Sequence, residues 1–273
     1  MKAMRPLLGT FVEIRLEACD RAIAQRAMDD AFAAIARVQS LMSLFEPQSD
    51  ISRINRAAHL SAQRVDDWTA QLLATALDLH ERSGGLFDCA IAPRLASWGL
   101  LPKGEEAPQS SLRHLILDEQ SVRASAPLRL DLGGIAKGFA VDRAIDALSQ
   151  QGILSACINA GGDLRVMGAH EEAIHLRDPS DPNALRFAGT LKDGACATSA
   201  IYYSKSQHEG REVSALVDPR SGEAILSRDS FSVIAPLCCH ADGLTKVLAI
   251  SQDPSLPCFA HYQAQALILR AAA

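Results

Sequence analysis

Asp131-Leu132-Gly133-Gly134-Ile135-Ala136-Lys137-Gly138-Phe139-Ala140-Val141-Asp142 is the stretch on which the reading of this chain turns. The apolar run Leu128 to Leu132 reads as a strand, and a glycine pair turns it directly into a helix. Ala140, Val141, Ala144, Ile145 and Leu148 recur at helical spacing and give that helix one buried face. Paired glycines permit positive φ and let a ligand approach bare N–H groups. The first helical turn adds free N–H groups and a partial positive charge, and Lys137 adds a full one. Such a corner suits a phosphate or diphosphate. It is not a common nucleotide fingerprint. Phe139 follows Gly138 where a P-loop needs Ser or Thr after its lysine, and the spacing is G-G-x-x-x-G rather than G-x-G-x-x-G. Alone, a glycine turn between strand and helix is more often only a turn.

The rest of the chain narrows the choice. With 273 residues, 48% of them hydrophobic, it can bury a sizeable core as one large or two small domains. A net charge of −5 with no Lys/Arg run lacks the footprint of a nucleic-acid binder. No apolar stretch approaches the roughly 18 residues of a membrane span. Met1 to Leu16 carries Lys2 and Arg5, but Glu13 and Arg15 interrupt it, so it does not read as a signal peptide. The expected location is the cytoplasm, or the periplasm if a leader has been removed. The seven cysteines, at 19, 89, 157, 196, 238, 239 and 258, have no regular spacing and predict reduced, buried thiols rather than a disulfide framework. Adjacent Cys238 and Cys239 beside His240 are a poor chelating geometry for zinc.

Val12, Ile14 and Leu16 alternate with Glu13 and Arg15, a half-buried strand. Residues 21–45 form an amphipathic helix through Met28, Ala31, Ile35, Val38 and Met42, and Glu46 to Asp50 break it into a loop. A second helix runs from Asp67 to Arg82, capped by Asp66 or Asp67 and ended by Gly84-Gly85. Leu115 to Leu117, Val122 and Leu128 to Leu132 read as antiparallel strands. Helices follow at 138–150 and 241–251. Further strands are expected at 153–159, 164–167, 173–176, 185–191, 213–217, 231–235 and 265–269. The fold class is α+β (mixed α/β), one domain over residues 1–273 with a largely antiparallel sheet and packed helices.

With these landmarks placed, the chain resembles the FAD:protein FMN transferases, the ApbE-like flavin transferase family. The match runs in order through nearly the whole length. It takes in Leu8-Gly9-Thr10-Phe11-Val12-Glu13-Ile14, Met42 to Asn55, Gly85-Leu86-Phe87-Asp88 through Trp98-Gly99, and Asp131 to Asp142. It continues with Asn159-Ala160-Gly161-Gly162-Asp163-Leu164-Arg165, Ala197-Thr198-Ser199, Asp218-Pro219-Arg220-Ser221-Gly222 and Ala241-Asp242. The resemblance implies an FAD site in a deep cleft beside Mg²⁺. It implies transfer of FMN from FAD to a Thr or Ser hydroxyl of an acceptor flavoprotein, with release of AMP. Some members hydrolyse FAD and some only hold it. Carried onto this sequence, it implies Asp242 and Lys137 as catalytic groups. It implies Phe45, Asn55, Asp131, Gly133, Gly134, Lys137, Asp142, Asn159, Gly161, Asp163, Thr198 and Ser199 around FAD.

Three positions depart from the family pattern. The family's metal is held by a carbonyl near the central glycines, an Asp in the last helix and a Thr four residues later. Gly134 and Asp242 match, but the residue four after Asp242 is Lys246, which one helical turn puts on the same face. Thr245 is one residue off and faces about 100° away. Lys246 reads either as a tethered cation in place of the metal, in a non-catalytic FAD-binding member, or as half of an ordinary helix salt bridge worth a few tenths of a kcal/mol. Ala215 stands where the family often has a His three residues before Asp218. Ala200-Ile201 stands where the family has Gly-Asp.

Overall fold

The computed structural model describes residues 1–17, 20–181, 183–200 and 205–272. In chain order the elements are β1 (Lys2–Leu7), β2 (Thr10–Glu17), α1 (Arg21–Met42), α2 (Asp50–Ala57), β3 (Gln63–Arg64), α3 (Asp67–Arg82) and α4 (Ala92–Ser97). Then come β4 (Leu115–Asp118), β5 (Ser121–Ala124), α5 (Ala136–Gln150), β6 (Ser155–Ala160), β7 (Asp163–Arg177) and β8 (Leu185–Ala200). β9 (Ser206–His208), β10 (Arg211–Val213), β11 (Ser230–Ala235), α6 (Cys238–Ser251), α7 (Pro257–His261) and β12 (Gln265–Leu269) complete the described chain.

Among the described residues, seven strands form one sheet in the order β1-β2-β6-β7-β8-β11-β12, and every pairing is antiparallel. The alternation in β2 is realised: Val12, Ile14 and Leu16 are buried against the helical side. α1, α5 and α6 cover that face, and their apolar stripes join one core. The architecture is α+β. No helix among the described residues is long and apolar enough to cross a membrane.

The other face of the sheet is covered by its own strands. Arg15 pairs with Cys157 and so does not share Ile14's inward direction. Cys157, Val166, Ile174, Leu176, Leu191 and Cys196 form a second, smaller core on that side. The β7–β8 hairpin reaches it by curling, with an irregularity between Val166 and Glu171. Gly168 makes the curl possible, since it has φ +85° and an added Cβ would lie 1.9 Å from the Leu154 carbonyl oxygen. The expected strands at 164–167 and 173–176 are therefore one strand.

The expected loop from Glu46 runs as far as Ser49, which accepts from the Ser52 amide and caps α2. One local expectation fails for an identifiable reason. Leu128 to Leu132 forms no strand and joins no sheet. Its backbone is held instead by the Asn55 carboxamide, which donates to the Leu130 carbonyl (3.0 Å) and accepts from the Leu130 amide (2.7 Å). The Asp131 amide adds a bond to the Cys89 carbonyl at 2.7 Å. One side chain from α2 thus does the work of a neighbouring strand. Asn55→Ala leaves both groups of Leu130 without that partner. We expect a loss of about 1–3 kcal/mol, read as a lower urea midpoint; an unchanged midpoint contradicts this role.

Candidate functional site

The glycine corner lies where this segment enters α5. The Gly133 amide donates to Asp131 Oδ1 at 2.9 Å, and those of Ile135 and Ala136 to the Leu132 carbonyl at 3.0 and 2.8 Å. Neither Gly133 nor Gly134 uses the positive φ that the sequence suggested. Both are short of room instead: an added Cβ would lie 3.2 Å from Asp131 Oδ1 at Gly133 and 3.3 Å from Lys246 Cε at Gly134. Gly138 is more constrained still, with the Cys238 carbonyl oxygen 2.3 Å from the position of an added Cβ. The first turns of α5 and α6 meet there backbone to backbone.

These helix starts exchange carboxylates. Asp142 of α5 accepts from the amides of Cys238 and Cys239, each at 2.9 Å, and from Arg165 Nη1 at 2.7 Å. It caps α6, which has no side-chain cap of its own from Leu237. Asp242 of α6 accepts from the Gly138 amide of α5 at 3.1 Å. Asp142 is thus committed to joining two helices, and it does not reach the cleft lining as the sequence reading expected. Burial pushes its carboxyl above the usual range despite the opposing Arg165 charge.

Asp242 is fully buried and flanked by two ammonium groups. Lys246 Nζ contacts Asp242 Oδ1 and lies 3.0 Å from the Asp242 carbonyl oxygen. Lys137 Nζ pairs with Asp163 and lies 3.7 Å from Asp242 Oδ2. Burial would raise the Asp242 carboxyl, but Lys137, Lys246 and the Gly138 amide hold it below the usual range. Asp163 is pushed up, by burial first and then by the Asp242 charge. Thr245 faces elsewhere, as its helical angle predicts. Its Oγ1 donates to the Asp242 carbonyl at 2.7 Å and shares a 2.7 Å hydrogen bond with Ser199 Oγ.

In front of Lys246 opens a cavity of about 290 Å³. Asp131, Gly133, Gly134 and Ser199 line it, with an apolar wall of Leu86, Phe87, Ile91, Leu216 and Val217. Ala215 lines it too. A second compartment of about 470 Å³ shares Asp88, Ile91, Val217 and Pro219 with the first, and Arg94, Ser110 and Arg220 line it. The two adjoin along these four shared residues and form a two-part cleft.

The sequence-derived candidates therefore divide. Asp131, Gly133, Gly134, Ser199 and Lys246 line the first compartment, with Lys137, Asp163 and Asp242 clustered behind Lys246. Asn159, Gly161 and Thr198 line a different cavity of about 510 Å³, on the sheet face under the β7–β8 hairpin, that among the described residues shares only Ala200 with the first. Thr198 and Ser199 separate because successive strand residues point to opposite faces. Thr198 bonds Ser232 at 2.8 Å while Ser199 bonds Thr245 of α6. Phe45 is 71% exposed and Asn55 is spent on Leu130. Ile201 lies outside the described residues.

Sequence reasoning passed over Asp88, which lines both compartments. Its carboxylate accepts from Ser111 Oγ and the Ala90 amide, each at 2.8 Å, and fixes the turn between Phe87 and Ile91. A lone Asp after Gly85-Leu86-Phe87 carries no local signal for that position. The apolar wall was also missed, because nothing marks a cleft Leu or Val apart from a core one.

The antiparallel α+β scaffold thus brings a glycine corner, two ammonium groups and a two-part cleft together. The ApbE family profile matches residues 8–268, and the chain belongs to that family. Its curated relatives include a FAD:protein FMN transferase of Klebsiella pneumoniae (strain 342), 30% identical over 89% of this chain and 79% of that protein. Another FAD:protein FMN transferase, of Vibrio cholerae, is 26% identical over 90% of this chain and 79% of its own length. Among solved structures, the ApbE protein of Thermotoga maritima superposes with a TM-score of 0.84 at 25% identity, covering 98% of this chain and 93% of that one. The flavinyl transferase ApbE of Pseudomonas stutzeri, in its apo form, gives 0.80 at 25% identity over 92% and 84%.

Proposed function

We propose that this chain takes FAD into the two-compartment cleft and passes the FMN half to a Thr or Ser hydroxyl of an acceptor protein. A bond forms between the hydroxyl oxygen and the FMN phosphorus, the bond from that phosphorus to the bridging oxygen breaks, and AMP and a proton leave. The observation that carries this reading is the glycine corner facing an apolar-walled cleft beside Lys246, with Lys137 behind it. Fixed ammonium groups beside the glycine corner suit a diphosphate, and the apolar wall suits a flat ring system. Lys137 and Lys246 stabilise negative charge that grows on the leaving phosphate.

The magnesium ion that the resemblance implies does not fit these residues. Mg²⁺ needs an octahedron of oxygens. Here an ammonium group lies on the Asp242 carboxylate beside Gly134, where two of those oxygens would be. Among the described residues, no group of three His, Cys, Asp or Glu side chains is arranged to hold a metal.

Ala215 in the cleft favours a second reading, an FAD-holding member without transfer activity, since a methyl group can neither move a proton nor touch phosphate. Incubation with FAD and chromatography of the products separates the two. Released AMP supports transfer or hydrolysis. Yellow protein that releases none supports the holding role. Protein that takes up no FAD contradicts both.

A further inference from the structure

We infer that Lys246 is a tethered cation for the ligand's diphosphate, so that this chain holds FAD without any divalent metal. The inference rests on the FAD reading and sharpens it.

Lys246 stands one helical turn after Asp242, lines the cavity beside Gly133 and Gly134, and keeps 19% of its side chain exposed. An ammonium group has three N–H donors. Two are directed at Asp242, to Oδ1 and to the carbonyl oxygen. The third is left for a phosphate oxygen. The other oxygen of Asp242 is also engaged, by the Gly138 amide. A divalent ion at this carboxylate would displace the Lys246 ammonium and then lie against its charge.

The arrangement is pinned from both sides. Thr245 ties α6 to Ser199 of β8, and Asp142 holds the amides of Cys238 and Cys239, and these bonds hold α6 with Lys246 rather than Thr245 lining the cleft. Lys137 and Lys246 stand against Asp163 and Asp242, two ammonium groups facing two carboxyl groups. The Gly134 position completes the fit. Any side chain there would press on the Lys246 stem, 3.3 Å from the site of its Cβ.

The test is FAD affinity by quenching of flavin fluorescence, in EDTA and in Mg²⁺, on the wild type, Lys246→Arg and Lys246→Met. The wild type is expected to bind equally in both buffers. Lys246→Arg keeps a cation and stays within a few-fold, while Lys246→Met binds roughly tenfold or more weakly, the size of one charge-assisted contact. Circular dichroism checks that the Met variant is folded; if it is not, the wild-type comparison of the two buffers still decides. Binding by the wild type only in Mg²⁺, or a folded Lys246→Met with wild-type affinity in EDTA, overturns the inference alone. Absence of binding in both buffers overturns the flavin reading and the inference with it.

Discussion

Asp242→Asn is expected to destabilise the protein by about 3–5 kcal/mol, the range for removing one partner of a buried ion pair. The substitution weakens the pairing of two ammonium groups rather than one. Lys246 loses its main contact, and Lys137 keeps only Asp163, itself shifted toward the protonated form. The Gly138 amide loses a charged acceptor as well. The pH dependence has a definite sign. Asp242 is held below its unfolded value, so its contribution is fully present above the unfolded pKa of about 3.9 and is lost as pH falls through the folded one. The gap between wild type and variant should thus be wide at neutral pH and should close in strong acid. Urea titrations at several pH values measure it. A gap under about 1 kcal/mol at neutral pH would show that the cluster is solvated and unimportant to the fold.

Gly138→Ala is the second large effect. Its Cβ would lie 2.3 Å from the Cys238 carbonyl oxygen, 2.6 Å from that carbonyl carbon and 2.8 Å from the Cys239 nitrogen. All three are backbone atoms at the start of α6, so no side chain can swing away. The helix start must retreat, which weakens the hydrogen bonds from Cys238 and Cys239 to Asp142 and from Gly138 to Asp242 together. Overpacking typically costs about 1–3 kcal/mol, and three backbone atoms within 3 Å put this site at the upper end, about 3 kcal/mol. For a chain of this size that is a fall in Tm of roughly 6–12 °C. Calorimetry reads it directly, and a melting temperature within a degree or so of wild type would show that α5 and α6 are not in contact there.

Where the signal is periodic, the fold is legible from sequence. α1, α3 and α5 follow from apolar stripes at helical spacing, and β2 from strict alternation. α3 also shows its start, since Asp66 accepts from the Trp68 amide as a cap should. Long-range replacement is what sequence hides. Leu128 to Leu132 has the composition of a strand, and nothing near it tells that Asn55, 75 residues away, takes a partner strand's place. The glycine corner was found for a partly mistaken reason: its residues need room beside Lys246 and Cys238, not positive φ. Asp142 looked like a cleft residue because it closes the motif, yet a helix face turns it toward α6. Thr198 and Ser199, adjacent in sequence, serve opposite faces of the sheet, and only the placement of β8 tells which one meets the cleft. The Asp242–Lys246 pair was legible as helical spacing, while its burial beside a cavity was not.

A crystal structure of the wild-type protein with FAD, grown in EDTA, is expected to show the diphosphate against the Gly133–Gly134 backbone, with a phosphate oxygen on the third N–H of Lys246 and the flavin along the Phe87 and Val217 wall. Diphosphate density in the cavity under the β7–β8 hairpin, or a corner that stays empty while FAD binds elsewhere, would contradict this placement.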